Sequence, residues 1–124
     1  NLYHDEALRS AGLSSYQSSY IPIVCAKPGI TQDQIARELH VNRSSVTRQM
    51  TSLEENGFVT RRRSSDDRRA VEVYPTDKAQ AVLPAVRAAR KSWRSLLLEG
   101  MTDEEREALD VLLARLADRA QSLV

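Results

Sequence analysis

Arginines and small hydroxyls supply the chemistry of this sequence, and they gather in two short stretches. Asn42, Arg43, Ser44, Ser45, Thr47 and Arg48 form the first; Arg61, Arg62, Arg63, Asp67, Arg68 and Arg69 form the second. Such groups make and break no covalent bonds. They donate hydrogen bonds and neutralise anions, and arginine matches both the guanine edge and the phosphate oxygens of a duplex. The net charge of the chain is only +1, which argues for nothing. Its distribution is more useful: residues 42–69 carry seven arginines against four carboxylates, and residues 101–124 carry three against six. The positive charge is local, and it coincides with the donor-rich stretches.

Residues for catalysis are not assembled in the same way. The sequence has two histidines, one cysteine and four glycines. It lacks a phosphate-cradling loop, a nucleophile–base arrangement and a carboxylate pair in a catalytic motif, so neither an enzyme nor a cofactor is expected. His4, His40 and Cys25 lack metal-ligand spacing, so no metal site is expected. Cys25 stands alone, which excludes an internal disulfide and makes a reducing cytoplasm the simplest compartment. No run approaches the roughly 20 apolar residues of a membrane span, and Asn1-Leu2-Tyr3-His4-Asp5 does not open a secretory signal. The chain does not begin with Met, which leaves room for a preceding segment. Apolar residues at 41% and charged residues at 28% of 124 fit one globular domain spanning 1–124.

The elements that must position these residues follow from start and stop signals. Residues 2–10 read as the end of a helix stopped by Gly12. Ser14 and Gln17 form a capping box that opens a helix to about Ala26, with a bend expected at Pro22. Thr31 and Gln34 cap a short helix with Ile35, Ala36 and Leu39 inward. Asn42 caps a longer one with Val46, Met50 and Leu53 on one face. The period then changes. Residues 58–63 and 70–74 read as strands around the turn Ser64-Ser65-Asp66-Asp67, closed by Pro75. A helix over 76–99, with Pro84 expected to kink it, and a helix over 103–122, capped by Thr102 and Glu105, complete the chain.

Two helices joined by a tight turn, followed at once by a basic hairpin, make a winged helix-turn-helix in a mainly α (α+β) chain. Ala36 is the small residue that lets the helices cross, and Leu39, Val41 and Val46 turn inward. That leaves the first stretch of donors at the exposed start of the second helix, shaped for a major groove. In the hairpin, Asp67 and Arg69 are two apart, so the carboxylate is expected to brace the guanidinium and aim it at a narrow minor groove. Arg61, Arg62 and Arg63 alternate faces, which should direct at least one toward phosphates. The competing reading is a winged helix that binds protein. It has no need of a braced wing-tip arginine, nor of Arg43 and Arg48.

The sequence resembles the MarR-type (multiple-antibiotic-resistance) regulators over nearly its whole length. The most specific portion is Ile35-Ala36-Arg37-Glu38-Leu39 through Ser44-Ser45-Val46-Thr47-Arg48, then Leu53-Glu54-Glu55-Asn56-Gly57-Phe58-Val59, Asp67-Arg68-Arg69 and Thr76-Asp77-Lys78. The family's Asp-x-Arg wing motif falls on Asp67 and Arg69. Pro75 and Ala79 depart from the usual leucine and glycine, at the start of the helix over 76–99.

The resemblance implies a repressor of promoter DNA that responds to a small molecule or oxidant. It also implies a homodimer packed through the helices at 1–12 and 76–124, around a DNA-binding part at about 30–75. The residues agree: Val86, Trp93, Leu109, Leu112, Leu116 and Leu123 lie on two apolar seams, more than one small domain needs for itself, and Leu2 joins them at the N-terminus. Tyr16 and Tyr20, four apart beside Pro22, lie where the resemblance puts an effector pocket, and a small aromatic or phenolic effector is expected; each is equally a core residue with a satisfied hydroxyl. Cys25 stands outside the first helix, where the thiol-sensing branch of the family carries its reactive cysteine, and reads as a small buried hydrophobe.

Overall fold

The computed structural model describes residue 6 and residues 8–123. The positions assigned to Leu2 and His4 lie outside these residues. The chain divides into two compact units, residues 1–91 and 92–124.

In the first unit, a helical turn at residues 8–10 ends where the Gly12 amide bonds to the Arg9 carbonyl (2.9 Å). The capping box on Ser14 and Gln17 is formed, but the expected single helix is two: α1 (Ser15–Ser18) and α2 (Tyr20–Ala26). Pro22 explains the break. It has no amide to offer the Ser18 carbonyl, so the chain turns at Ser19 and restarts with the proline in a first turn, where it is tolerated. A two-residue strand, β1 (Ile30–Thr31), leads into α3 (Gln32–Leu39), capped by Thr31 and Gln34 as the sequence indicated. His40 takes a left-handed conformation (φ 54°) and is exposed, which turns the chain sharply into α4 (Arg43–Glu55).

Gly57 (φ 83°) closes α4, with Phe58 N–H reaching back to the Leu53 carbonyl at 2.8 Å. β2 (Val59–Arg63) and β3 (Val71–Pro75) then form the expected antiparallel hairpin, with Arg61 opposite Val73 and Arg63 opposite Val71. β1 adds to the free edge of β3, with Ile30 opposite Val73, giving a sheet in the order β1-β3-β2. A strand so short carries no periodicity, and it was not legible in the sequence.

Helix α5 (Asp77–Leu97) runs on through Pro84 without interruption. Its start is pinned despite the unusual Pro75 and Ala79: the Thr76 hydroxyl donates to the Gly57 carbonyl (2.6 Å) and accepts from Ala79 N–H (3.3 Å), while Ala79 is buried. The core of this unit takes Tyr20, Ile35, Val46, Met50, Leu53, Phe58, Val73 and Val86, all with no exposed surface.

The second unit holds the last residues of α5 and helix α6 (Asp103–Ser122), with the Thr102–Glu105 capping box formed. Arg94 pairs with Asp110 (3.0 Å), and the Arg106 guanidinium donates to the Leu98 carbonyl (3.1 Å). None of residues 92–123 is buried. Among the described residues, no helix is long and apolar enough to cross a membrane, and no group of three or more His, Cys, Asp or Glu side chains is placed to hold a metal ion.

Candidate nucleic-acid interface

The first turn of α4 is built by its cap. Asn42 Oδ1 accepts from Ser45 N–H at 2.8 Å, which commits the Asn42 carbonyl oxygen to the helix and fixes the amides around it. Arg43 is held from two sides, by the Asp33 carboxylate (3.1 Å) and by the Arg69 carbonyl (3.4 Å). Ser44 and Arg48 are exposed, and neither side chain has a hydrogen-bond or ionic partner among the described residues. Thr47 is exposed too, but its hydroxyl donates to the Arg43 carbonyl (3.1 Å) and accepts from Gln32 Nε2 (3.1 Å).

The three strand arginines divide by pleat. Arg61 faces α4, where Glu54 receives its Nε (3.2 Å), its Nη2 (3.0 Å) and its backbone amide (3.0 Å), and Gln32 Oε1 receives Nη1 (3.2 Å). Its side chain is 20% exposed. This guanidinium fastens β2 to both helices of the helix-turn-helix, with three of its five N–H groups committed inside the fold. Arg62 lies on the opposite face, over the Tyr74 ring (4.4 Å), donating to the Tyr74 hydroxyl (2.8 Å) and paired with Glu72 (3.5 Å). The Tyr74 hydrogen bond, with Glu72, holds it even more firmly protonated than usual. Arg63 is exposed, and among the described residues its side chain bonds only to the Arg68 carbonyl (2.9 Å).

The wing tip corrects one expectation. Asp67 does not brace the Arg69 guanidinium; its Oδ1 accepts the Arg69 backbone amide at 3.0 Å. A two-residue offset in a turn favours this contact, because an aspartate reaches the amide two residues on without ordering a long side chain. The Ser64 hydroxyl accepts from the Asp66 and Asp67 amides (3.2 and 3.3 Å), and Ala70 N–H closes the turn on the Asp67 carbonyl (2.9 Å). Asp67 thus shapes the loop that carries Arg68 and Arg69, whose guanidinium groups are exposed and without an acidic partner among the described residues.

Sequence reasoning missed Gln32, Asp33 and Glu54, which orient the two halves of this surface. The signal was faint. Glu54 and Thr47 lie seven apart on one side of α4, and only the fold brings Arg61 to that side.

The remaining candidates are distributed as follows. Tyr16 and Tyr20 meet edge to face, with centroids 5.8 Å apart, and Tyr20 donates its hydroxyl to Tyr16 at 3.2 Å. Tyr20 is fully buried and Tyr16 is 49% exposed. Burial, reinforced by Tyr16, raises the Tyr20 phenol well above its ordinary value. Cys25 is half-buried, and burial raises its thiol pKa against a smaller lowering by Arg87, which disfavours the thiolate. Trp93, Leu112, Leu116 and Leu123 are exposed and Leu109 is half-buried, all in the second unit. Val86 must be set apart from them: it packs in the core of the first unit and has no surface to offer a partner.

A helix-turn-helix transcriptional regulator is also what the comparisons with known proteins return. The sequence profile of the MarR family matches residues 13–71, from before α1 to the start of β3. An uncharacterised HTH-type transcriptional regulator of Bacillus subtilis (strain 168), YybA, is 29% identical over 103 residues, which are 83% of this chain and 69% of that protein. The crystal structure of the transcriptional regulator SlyA is similar with a TM-score of 0.87 and 26% identity, covering 95% of this chain and 83% of that one. The crystal structure of Streptococcus pneumoniae FabT in complex with DNA is similar with a TM-score of 0.75 and 25% identity, covering 99% and 88%. The order of elements, the shaped wing and these likenesses converge: the chain has the winged helix-turn-helix fold of the MarR-family transcription regulators to which it is similar, and its residues 13–71 match that family's profile.

Proposed function

We propose that this protein binds a pseudo-palindromic operator as a homodimer, represses from it, and releases it when a small aromatic or phenolic effector binds. The observation that carries the DNA reading is the contrast among the arginines. Arg61 and Arg62 are paired within the fold, whereas Arg48 on α4 and Arg63, Arg68 and Arg69 on the wing have no acidic partner among the described residues. Cations left unpaired on two adjoining projections suit phosphates and base edges, and the fold has provided carboxylates for the others. In this reading Arg48 and Ser44 face the major groove, Arg68 and Arg69 face the minor groove beside it, and Asn42, Arg43 and Ser45 hold the helix start.

The dimer rests on apolar surface. Trp93, Leu112, Leu116 and Leu123 are 59%, 58%, 67% and 69% exposed in a unit that buries none of its own residues. Such a surface is costly in water and favours a symmetric partner. A two-fold axis then requires half-sites about one helical turn, roughly 10 bp, apart. For the effector, Tyr16 offers a half-exposed ring and hydroxyl next to the break at Ser19. A cytoplasmic place of action follows from the DNA target.

Selection of bound sequences from a random DNA pool, at about 150 mM salt, tests the reading in one step. Enrichment of an inverted repeat with half-sites roughly 10 bp apart is the expected result. A folded dimer that enriches no sequence would overturn it in favour of a winged helix that binds protein.

A further inference from the structure

The hydroxyl of Thr47 is committed to the interior of the fold. Its single proton goes to the Arg43 carbonyl (3.1 Å), one turn earlier, and its oxygen accepts from Gln32 Nε2 (3.1 Å). Gln32 cannot readily release it. That side chain is 4% exposed, and its other end receives Arg61 Nη1 at 3.2 Å, within the guanidinium that Glu54 holds. Turning the Thr47 hydroxyl outward would leave a buried amide donor unpaired. Yet Thr47 as a residue is exposed, three positions after Ser44 and next to Arg48. With the oxygen held on the inner side, the outward surface of the side chain is its methyl group.

We propose that Thr47 determines specificity by packing this methyl against the C5-methyl of a thymine in the major groove. The thymine methyl is the one apolar group that a base pair presents there, and a threonine methyl is a suitable partner. The inference rests on α4 being the recognition helix, as argued above, and it names what one of its positions reads. Burying one methyl contact is worth about fourfold in affinity. The chain from buried Gln32 through Arg61 to Glu54 is what prevents Thr47 from acting as a hydrogen-bonding reader instead.

The test uses the full chain and its selected operator, with each thymine of one half-site replaced singly by uracil, which removes only the methyl. The wild type should lose about fourfold in affinity at one position. Thr47→Ser keeps the oxygen and both hydrogen bonds, so it should fold normally, bind the thymine operator as weakly as the wild type binds the uracil one, and be indifferent to that uracil. Thr47→Val should retain the response. If the wild type binds tightly but no uracil weakens it, or if Thr47→Ser still discriminates thymine from uracil, the methyl contact is wrong and the operator reading stands. If the folded wild type selects no sequence at all, both are wrong.

Discussion

Arg43 donates a hydrogen bond to the backbone carbonyl of Arg69 at 3.4 Å, joining the first residue of the recognition helix to the tip of the wing. Asp33 holds the same guanidinium from α3. The two projections proposed to face DNA are therefore tied at their tips as well as at their base, where Arg61 bridges Glu54 and Gln32. Because the tie at Arg69 uses main-chain oxygen, its side chain remains available for a groove.

That separation makes Arg69→Ala a clean probe. The substitution leaves the carbonyl, the Arg43 contact and the Asp67 cap on the Arg69 amide intact. Binding should weaken by roughly tenfold, preference for a narrow A·T-rich flank should flatten, and the salt dependence should become shallower. Affinity unchanged at physiological salt, measured by fluorescence anisotropy, would show that the wing does not reach the duplex.

Arg61 should behave in the opposite way. Arg61→Met leaves Glu54 without its ion pair and the buried Gln32 Oε1 without its donor, so it should cost about 1–3 kcal/mol of stability. Urea denaturation reads this directly. Glu54→Gln, which keeps an acceptor, should cost less. A fully stable Arg61→Met protein with weakened DNA binding would mean that Arg61 touches DNA after all.

These two arginines also show what a sequence can and cannot disclose. The helix boundaries, the hairpin and the capping boxes at Ser14, Thr31 and Thr102 were legible because each depends on residues within four positions of one another. The role of Arg61 was not. Three consecutive arginines alternate in direction, but which face meets α4 depends on how the strand follows that helix and pairs with β3, which no spacing within the strand discloses. Asp67 was legible as a wing residue and misread in its contact, since its carboxylate has the Arg69 amide nearer than the guanidinium. Val86 fits the apolar seam of α5 by spacing alone, yet the first turns of that helix face the protomer's own core.

Tyr20 gives the fold a pH dependence of definite sign. Burial, together with the bond to Tyr16, raises its phenol above the 10.0 of an unperturbed tyrosine. Above that pH the unfolded chain releases a proton that the folded chain keeps. The stability involved is fully present below pH 10.0 and is lost as the pH climbs toward the folded value, with a slope approaching about 1.4 kcal/mol per pH unit. Tyr20→Phe should remove this part of the alkaline decline. Urea melts of both proteins at about pH 9 and pH 11 compare the slopes, and parallel declines would refute the assignment.

The second unit supplies the test of assembly. Leu112 and Leu116 lie one turn apart on α6, 58% and 67% exposed, and neither belongs to the core of the first unit. Replacing both with glutamate should therefore leave the winged helix folded, because no buried contact is lost. It should still abolish the dimer, since four carboxylates would be brought to a two-fold interface where their desolvation is unfavourable. Light scattering should report a monomer with wild-type helical content. Operator affinity should then fall to that of a single half-site, with binding per half-site retained. A double variant that remains dimeric would place the interface elsewhere on the exposed apolar surface, at Trp93, Leu96 and Leu97 of α5.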